Sequence, residues 1–207
     1  MELARPGKIV CIGRNYLDHV RELGGTSAPE RPVIFLKPPS AFIGDGEAIV
    51  LPPESERVDY EGELVAIVGR RCRGVSAEGA LDVLRGFACG NDVTARDLQT
   101  VDGQWSRAKG FDTFASIGPS VVGGVDPTDL ALTTRVNGEV RQLARTSMLV
   151  HPVAELVAFI SRVMTLEPGD AVFTGTPAGV GPLRPGDVVE VEIEGIGVLR
   201  NPVRAAG

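Results

Sequence analysis

The sequence has three cysteines, Cys11, Cys72 and Cys89, which stand far apart, and it has no Cys-x-x-Cys. An odd, scattered set excludes a disulfide framework and is expected of reduced thiols in a cytoplasmic protein. Long apolar runs are missing as well, none approaching the ~20 residues that a bilayer span needs. The first residues, Met1-Glu2-Leu3-Ala4-Arg5-Pro6, show no basic segment followed by an apolar one, so no secretory signal is expected. No basic stretch offsets the net charge of −6, which argues against a nucleic-acid partner. An anionic substrate would therefore need a local positive site. Lysine is scarce. Of 21 basic residues only Lys8, Lys37 and Lys109 are lysine. In an arginine-rich background a retained lysine marks a place where a compact ammonium is needed, which directs attention to Lys37 and Lys109.

There is no internal repeat and no low-complexity linker. The glycine-rich segment Thr174-Gly175-Thr176-Pro177-Ala178-Gly179-Val180-Gly181 lacks both the Gly-Lys-Ser/Thr ending of a phosphate loop and a G-x-G-x-x-G. Its glycines would instead let backbone N–H groups approach a substrate carboxylate.

What remains is an ordinary globular balance, 43% hydrophobic and 23% charged over 207 residues, which fits one domain spanning residues 1–207. Short apolar runs punctuated by glycine and proline read as strands at Lys8–Ile12, Val33–Leu36, Leu64–Val68, 86–93, Val188–Ile193 and Val198–Val203. Asn137-Gly138 between Thr133–Val136 and Glu139–Gln142 predicts a type I′ hairpin. Pro152–Met164 predicts a helix with Val153, Leu156, Val157, Ile160 and Met164 on one face. Ser76 predicts the N-cap of a second helix, running to Leu84. The product is a β-rich α+β fold with mixed sheets and few helices.

The chemistry starts at Asp59-Tyr60-Glu61-Gly62-Glu63. Residues two apart on a strand project from one face, so the carboxylates of Glu61 and Glu63 converge, beside a run that reads as buried. Asp92 ends a run that reads as a core strand and offers a third. Three carboxylates without a nearby histidine or cysteine favour a hard cation, Mg²⁺ or Mn²⁺.

Five segments then resemble one family, in its order and across essentially the whole chain: Ile12-Gly13-Arg14-Asn15-Tyr16-Leu17-Asp18-His19, Phe35-Leu36-Lys37-Pro38, Asp59-Tyr60-Glu61-Gly62-Glu63-Leu64, Asn91-Asp92-Val93-Thr94-Ala95-Arg96-Asp97 and Thr174–Gly181. The chain resembles the fumarylacetoacetate hydrolase family, in particular its short branch of acylpyruvases and oxaloacetate decarboxylases. The resemblance implies the mixed β-sandwich or roll of that family's C-terminal domain. It implies Glu61, Glu63 and Asp92 as metal ligands. It implies His19 and Glu22 as an acid–base dyad on a mobile lid segment within the first ~45 residues. Arg96, Gln99 and Lys109 match positions that stabilise developing negative charge, and Arg14, Lys37 and Thr176 match substrate contacts. Lys37 reads equally well as a structural turn before two prolines. His151, outside these segments, is expected to be structural.

The activity implied is metal-dependent cleavage of a carbon–carbon bond in a short 2-oxo acid, by acylpyruvate hydrolysis, oxaloacetate decarboxylation or both. Isomerisation or decarboxylation of unsaturated dicarboxylic 2-oxo acids is the alternative on the same scaffold. A non-catalytic β-rich binding domain is the alternative of another class. The resemblance also implies a homodimer.

Overall fold

A computed structural model describes residues 4–207. The elements are, in chain order, β1 (Ile9–Gly13), α1 (Leu17–Glu22), β2 (Val33–Lys37), β3 (Phe42–Ile43), β4 (Ile49–Leu51), β5 (Val58–Tyr60), β6 (Gly62–Val68), β7 (Leu84–Asp92), β8 (Thr94–Ala95), α2 (Arg96–Asp102), α3 (Ser106–Gly110), β9 (Ala115–Val122), β10 (Ala131–Val136), β11 (Glu139–Arg145), α4 (Val153–Val163), β12 (Ala171–Phe173), β13 (Gly181–Pro182), β14 (Val188–Ile193) and β15 (Gly197–Ala205). They build a mixed seven-stranded sheet in the order β2-β1-β12-β6-β7-β9-β3 and a five-stranded sheet in the order β11-β10-β14-β15-β4. A small third sheet orders β13-β5-β8. No helix among the described residues is long and apolar enough to cross a membrane.

The centre of the large sheet is buried on both faces, which is why Leu64–Val68 reads as an unbroken apolar run rather than an alternating one. Val10, Ile12, Leu64, Ala66 and Val68 face one way, into the cluster shared with α4 and the five-stranded sheet. Ile9, Cys11, Val65, Ile67 and Ala88 face the other way, with Phe173. Gly90 permits that second cluster to close, because a Cβ there would lie 2.3 Å from Val65 Cγ2.

The Asn137-Gly138 hairpin forms as its dipeptide predicts, with φ of 54° and 81° and Val136 paired to Glu139. The helix α4 begins directly after Pro152 and buries Val153, Leu156, Val157 and Ile160. Val189, Val191 and Ile193 of β14 are buried and their neighbours half-exposed, matching the alternation in the sequence. The helix expected from Ser76 to Leu84 does not form. Only a 3-10 turn, Leu81–Val83, appears there. Gly79 in its middle costs a helix about 1 kcal/mol. Long-range pairing outweighs what propensity is left: the Val83 carbonyl accepts from the Gly69 and Arg70 N–H groups, and Leu84 already pairs with Val68 in the sheet.

Candidate active site

Glu61 follows β5, Glu63 lies in β6 and Asp92 ends β7. Gly62 pairs with Asn91 and Glu63 with Gly90, and the Asp92 N–H donates to the Glu61 carbonyl at 2.8 Å. Glu63 shares the parity of Val65 and Ile67, and Asp92 that of Ala88, so these carboxylates leave the sheet on the face carrying the second cluster. All three acids are buried, and an oxygen from each lies within 4.8 Å of the others.

Such crowding needs cations. Lys109, from α3, donates to Glu61 Oε2 at 2.8 Å and to Asp92 Oδ2 at 2.6 Å. Arg96, opening α2, donates through Nη2 to Glu61, through Nε to Asp59 at 2.9 Å and through Nη1 to Gln99 at 2.7 Å. Glu63 is different: among the described residues no cation is within ion-pair distance, and its Oε2 accepts only the Gly175 N–H, at 2.6 Å. Burial, then the nearby Asp92 and Glu61, push its carboxyl well above the usual range. Burial would raise Glu61 likewise, but Lys109 and Arg96 outweigh it and hold that group low. Lys109 is buried too, yet Asp92 and Glu61 keep its ammonium more basic than usual.

Three buried hard oxygen donors, one of them lacking countercharge, fit Mg²⁺ or Mn²⁺. Burial pushes the Cys11 thiol up, away from the thiolate form that soft metals take. Glu63→Gln keeps the volume and removes the uncompensated charge. Its Mn²⁺ affinity should fall beyond the ~10–100-fold that loss of a mere supporting group costs. Calorimetric titration of both proteins checks this, and equal affinities would remove Glu63 from the ligand set.

Opposite the acids stands α1. His19 is buried, and its Nδ1 lies 3.0 Å from Glu22 Oε2. Glu22 Oε1 accepts the Gly179 N–H at 2.9 Å, which ties the helix to the loop after β12. The entry to α1 is clamped by Asn15, whose amide donates to the carbonyls of His151 and Thr174 and accepts the His151 N–H. Arg14, just before, is a non-glycine residue at φ 61°, a conformation costing roughly 1–2 kcal/mol. Between these walls lies a cleft of ≈ 390 Å³, within the range of small-molecule sites. Phe35 and Trp105, in edge contact at 5.2 Å between ring centroids, line part of it.

The chain matches the "Fumarylacetoacetate (FAA) hydrolase C-terminal" family over residues 8–204. It belongs to the fumarylacetoacetate hydrolase family. The solved 2-hydroxyhepta-2,4-diene-1,7-dioate isomerase of Mycobacterium marinum is 52% identical, with a TM-score of 0.91 over 98% of this chain and 76% of that one. The mitochondrial oxaloacetate tautomerase FAHD2A of Bos taurus is 43% identical over 97% of this chain and 68% of its own. The fumarylpyruvate hydrolase of Pseudomonas aeruginosa, solved with Mn²⁺ and pyruvate, is 36% identical with a TM-score of 0.91, covering 97% of this chain and 91% of that one.

In this fumarylacetoacetate hydrolase family chain the cleft gathers Arg14, His19, Arg96, Gln99, Lys109 and Thr176 around the three acids. Glu22 stands behind His19. Lys37, the one lysine matched to a substrate contact, does not line the cleft. Its fully buried ammonium donates to the carbonyls of Val93, Lys109 and Phe114 at 2.7–3.0 Å and lies 2.7 Å from Asp92 Oδ1. All three protons are spent on backbone, so Lys37 ties the end of β7 to α3 and β9 and places Asp92 from behind. The Thr176 hydroxyl is also spent, donating to the Gly62 carbonyl at 2.9 Å and accepting from Gln142 at 2.8 Å. Any substrate contact there falls to backbone N–H.

Two supporting side chains escaped sequence reasoning. Asp59, fully buried, receives Arg57 through two bonds, at 2.9 and 3.2 Å, and holds Arg96. Its place in the Asp59–Glu63 motif was a signal. Gln142 sits on β11 with no motif around it.

Proposed function

We propose that this protein uses Mg²⁺ or Mn²⁺ to cleave a carbon–carbon bond in a short 2-oxo acid, hydrolysing acylpyruvates such as fumarylpyruvate, decarboxylating oxaloacetate, or both. One observation carries the reading: the buried acids, Lys109 and the His19–Glu22 pair converge on a single cleft. A bound divalent ion would supply charge to the carboxylate and 2-oxo oxygens of the substrate.

The side chains do the rest. The Nδ1 proton of His19 goes to Glu22, which leaves Nε2 as the base toward the cleft. In an acylpyruvate, Nε2 takes a proton from water, whose oxygen attacks the distal carbonyl. Lys109 steadies the resulting oxyanion. Arg96 and Gln99 help to offset that negative charge, Arg96 with three of its five N–H groups already engaged. The bond to C3 then breaks, releasing a carboxylic acid and the enol form of pyruvate. Oxaloacetate reaches the same enol by losing CO₂, with no water attack.

Arg14 favours the dicarboxylic members of this substrate group. Its strained backbone presents an exposed guanidinium to the cleft, and it has no acceptor among the described residues. A second carboxylate at the far end of the substrate would meet it. Arg14→Met should lower the ratio of kcat/KM for fumarylpyruvate over acetylpyruvate by about tenfold, the loss of one charge-assisted contact. An unchanged ratio removes Arg14 from that role.

Isomerisation or keto–enol tautomerisation is a second reading. It is favoured because relatives named for those reactions are 52% and 43% identical to this chain. Each of these reactions requires proton traffic at C3. NMR of acetylpyruvate, fumarylpyruvate and oxaloacetate with Mn²⁺-free enzyme and with Mg²⁺-loaded enzyme separates them. Pyruvate above the uncatalysed rate supports cleavage, enol–keto exchange alone supports tautomerisation, and neither leaves a binding domain. The proposal extends to a homodimer in the cytoplasm. It is supported by exposed apolar side chains on and beside the edge strand β11, Leu143 at 73% and Met148 at 50%, and by three buried free thiols. Light scattering reads the dimer.

A further inference from the structure

Gln142 lies on β11, at the edge of the five-stranded sheet, yet its side chain is 1% exposed and ends against Gly62, Pro177 and the cleft residue Thr176. Both polar atoms of its amide are engaged. Oε1 accepts the Gly62 N–H at 2.9 Å, between the two glutamates of the acid cluster. Nε2 donates to Thr176 Oγ1 and to the Pro177 carbonyl, both at 2.8 Å. The approach is close on both sides. A Cβ on Gly62 would sit 2.0 Å from Thr134 Oγ1 and 3.1 Å from Gln142 Oε1, and one on Gly179 would sit 2.1 Å from the Arg141 carbonyl. One side chain thus joins the strand carrying the acids to the loop whose Gly175 N–H holds Glu63 and whose Gly179 N–H holds Glu22.

We infer that Gln142 is a positioning residue, holding the Thr176 hydroxyl and the Pro177 carbonyl so that the Thr176 backbone N–H is set to bind the substrate carboxylate. The inference rests on the 2-oxo acid reading above. The acids do not depend on it to the same degree. Glu61 is also held by Asn91, whose Oδ1 accepts its N–H at 2.9 Å, and by the Asp92 N–H. Loss of the Nε2 donors should therefore loosen the loop while leaving the acid cluster in place.

Gln142→Glu tests this, because a carboxylate can still accept the Gly62 N–H but cannot donate to Thr176 or Pro177. Gln142→Leu, which loses all three bonds, is the companion. The readouts are calorimetric Kd values for Mn²⁺ and then for oxalate, a planar mimic of the carboxylate–oxo pair, binding to the Mn²⁺-loaded protein. For Gln142→Glu the Mn²⁺ Kd should stay within about threefold while the oxalate Kd weakens at least about tenfold; Gln142→Leu should weaken both. Wild-type oxalate affinity in Gln142→Glu overturns the positioning role. Equal weakening of both ligands in Gln142→Glu also overturns it, in favour of general support of the fold. A wild-type protein that takes up Mn²⁺ but no oxalate overturns the 2-oxo acid reading and this inference with it.

Discussion

Lys109→Met should lower kcat by roughly 10²–10³-fold, the loss seen when one preorganised donor to a developing oxyanion is removed. The ammonium is buried, faces the cleft and bridges Glu61 and Asp92. Met keeps the stem and deletes the charge. In the metal-free protein this takes one of two cations from each carboxylate, leaving Glu61 with Arg96 and Asp92 with Lys37, so the variant should be less stable than the wild type, and divalent metal should recover more of the loss. The melting temperature of Lys109→Met should rise more steeply with Mn²⁺ than that of the wild type. A kcat within about twofold of wild type, with metal saturating, would show that the ammonium serves the acids and not the reaction.

His19→Ala should reduce acylpyruvate cleavage by ~10²–10⁴-fold, the contribution of a general base. Oxaloacetate decarboxylation needs no activated water and should suffer less. The structure also specifies what a different outcome would mean. The helix carrying His19 is fastened through Glu22 to the Gly179 N–H, so a variant that disturbs α1 would affect every reaction in the cleft. The measurement is kcat/KM for both substrates in wild type and variant at saturating Mn²⁺. Equal loss on both assigns His19 to closure, and no loss on either makes it an ordinary histidine.

The parts of this fold that a reader of the sequence could see are those with short-range causes. The Asn137-Gly138 turn is a dipeptide property. The convergence of Glu61 and Glu63 follows from the two-residue period of a strand, and the doubly buried β6 from its unbroken apolar run. The parts that stayed hidden depend on partners far along the chain. Gln142 and Gly62 are 80 positions apart, and Glu22 and Gly179 are 157 apart. Lys37 shows the boundary well. Its scarcity and its neighbours pointed to it, but only the three carbonyls around its ammonium separate a tie behind Asp92 from a contact in the cleft. The Ser76 segment erred the other way: a good local cap and a plausible helix gave way to pairing with a strand many residues off.

The burial of two of the three lysines also bears on how the protein can be handled. Lys37 is sealed within the protein and Lys109 is held by two carboxylates, so among the described side chains Lys8, 27% exposed in its pair with Asp170, is the amine most open to acylating reagents. A dye or resin that couples through side-chain amines should attach chiefly at that one end of β1 and leave the cleft free. The mass gained after brief acylation then counts folded molecules, because each one that unfolds presents two further amines to the reagent.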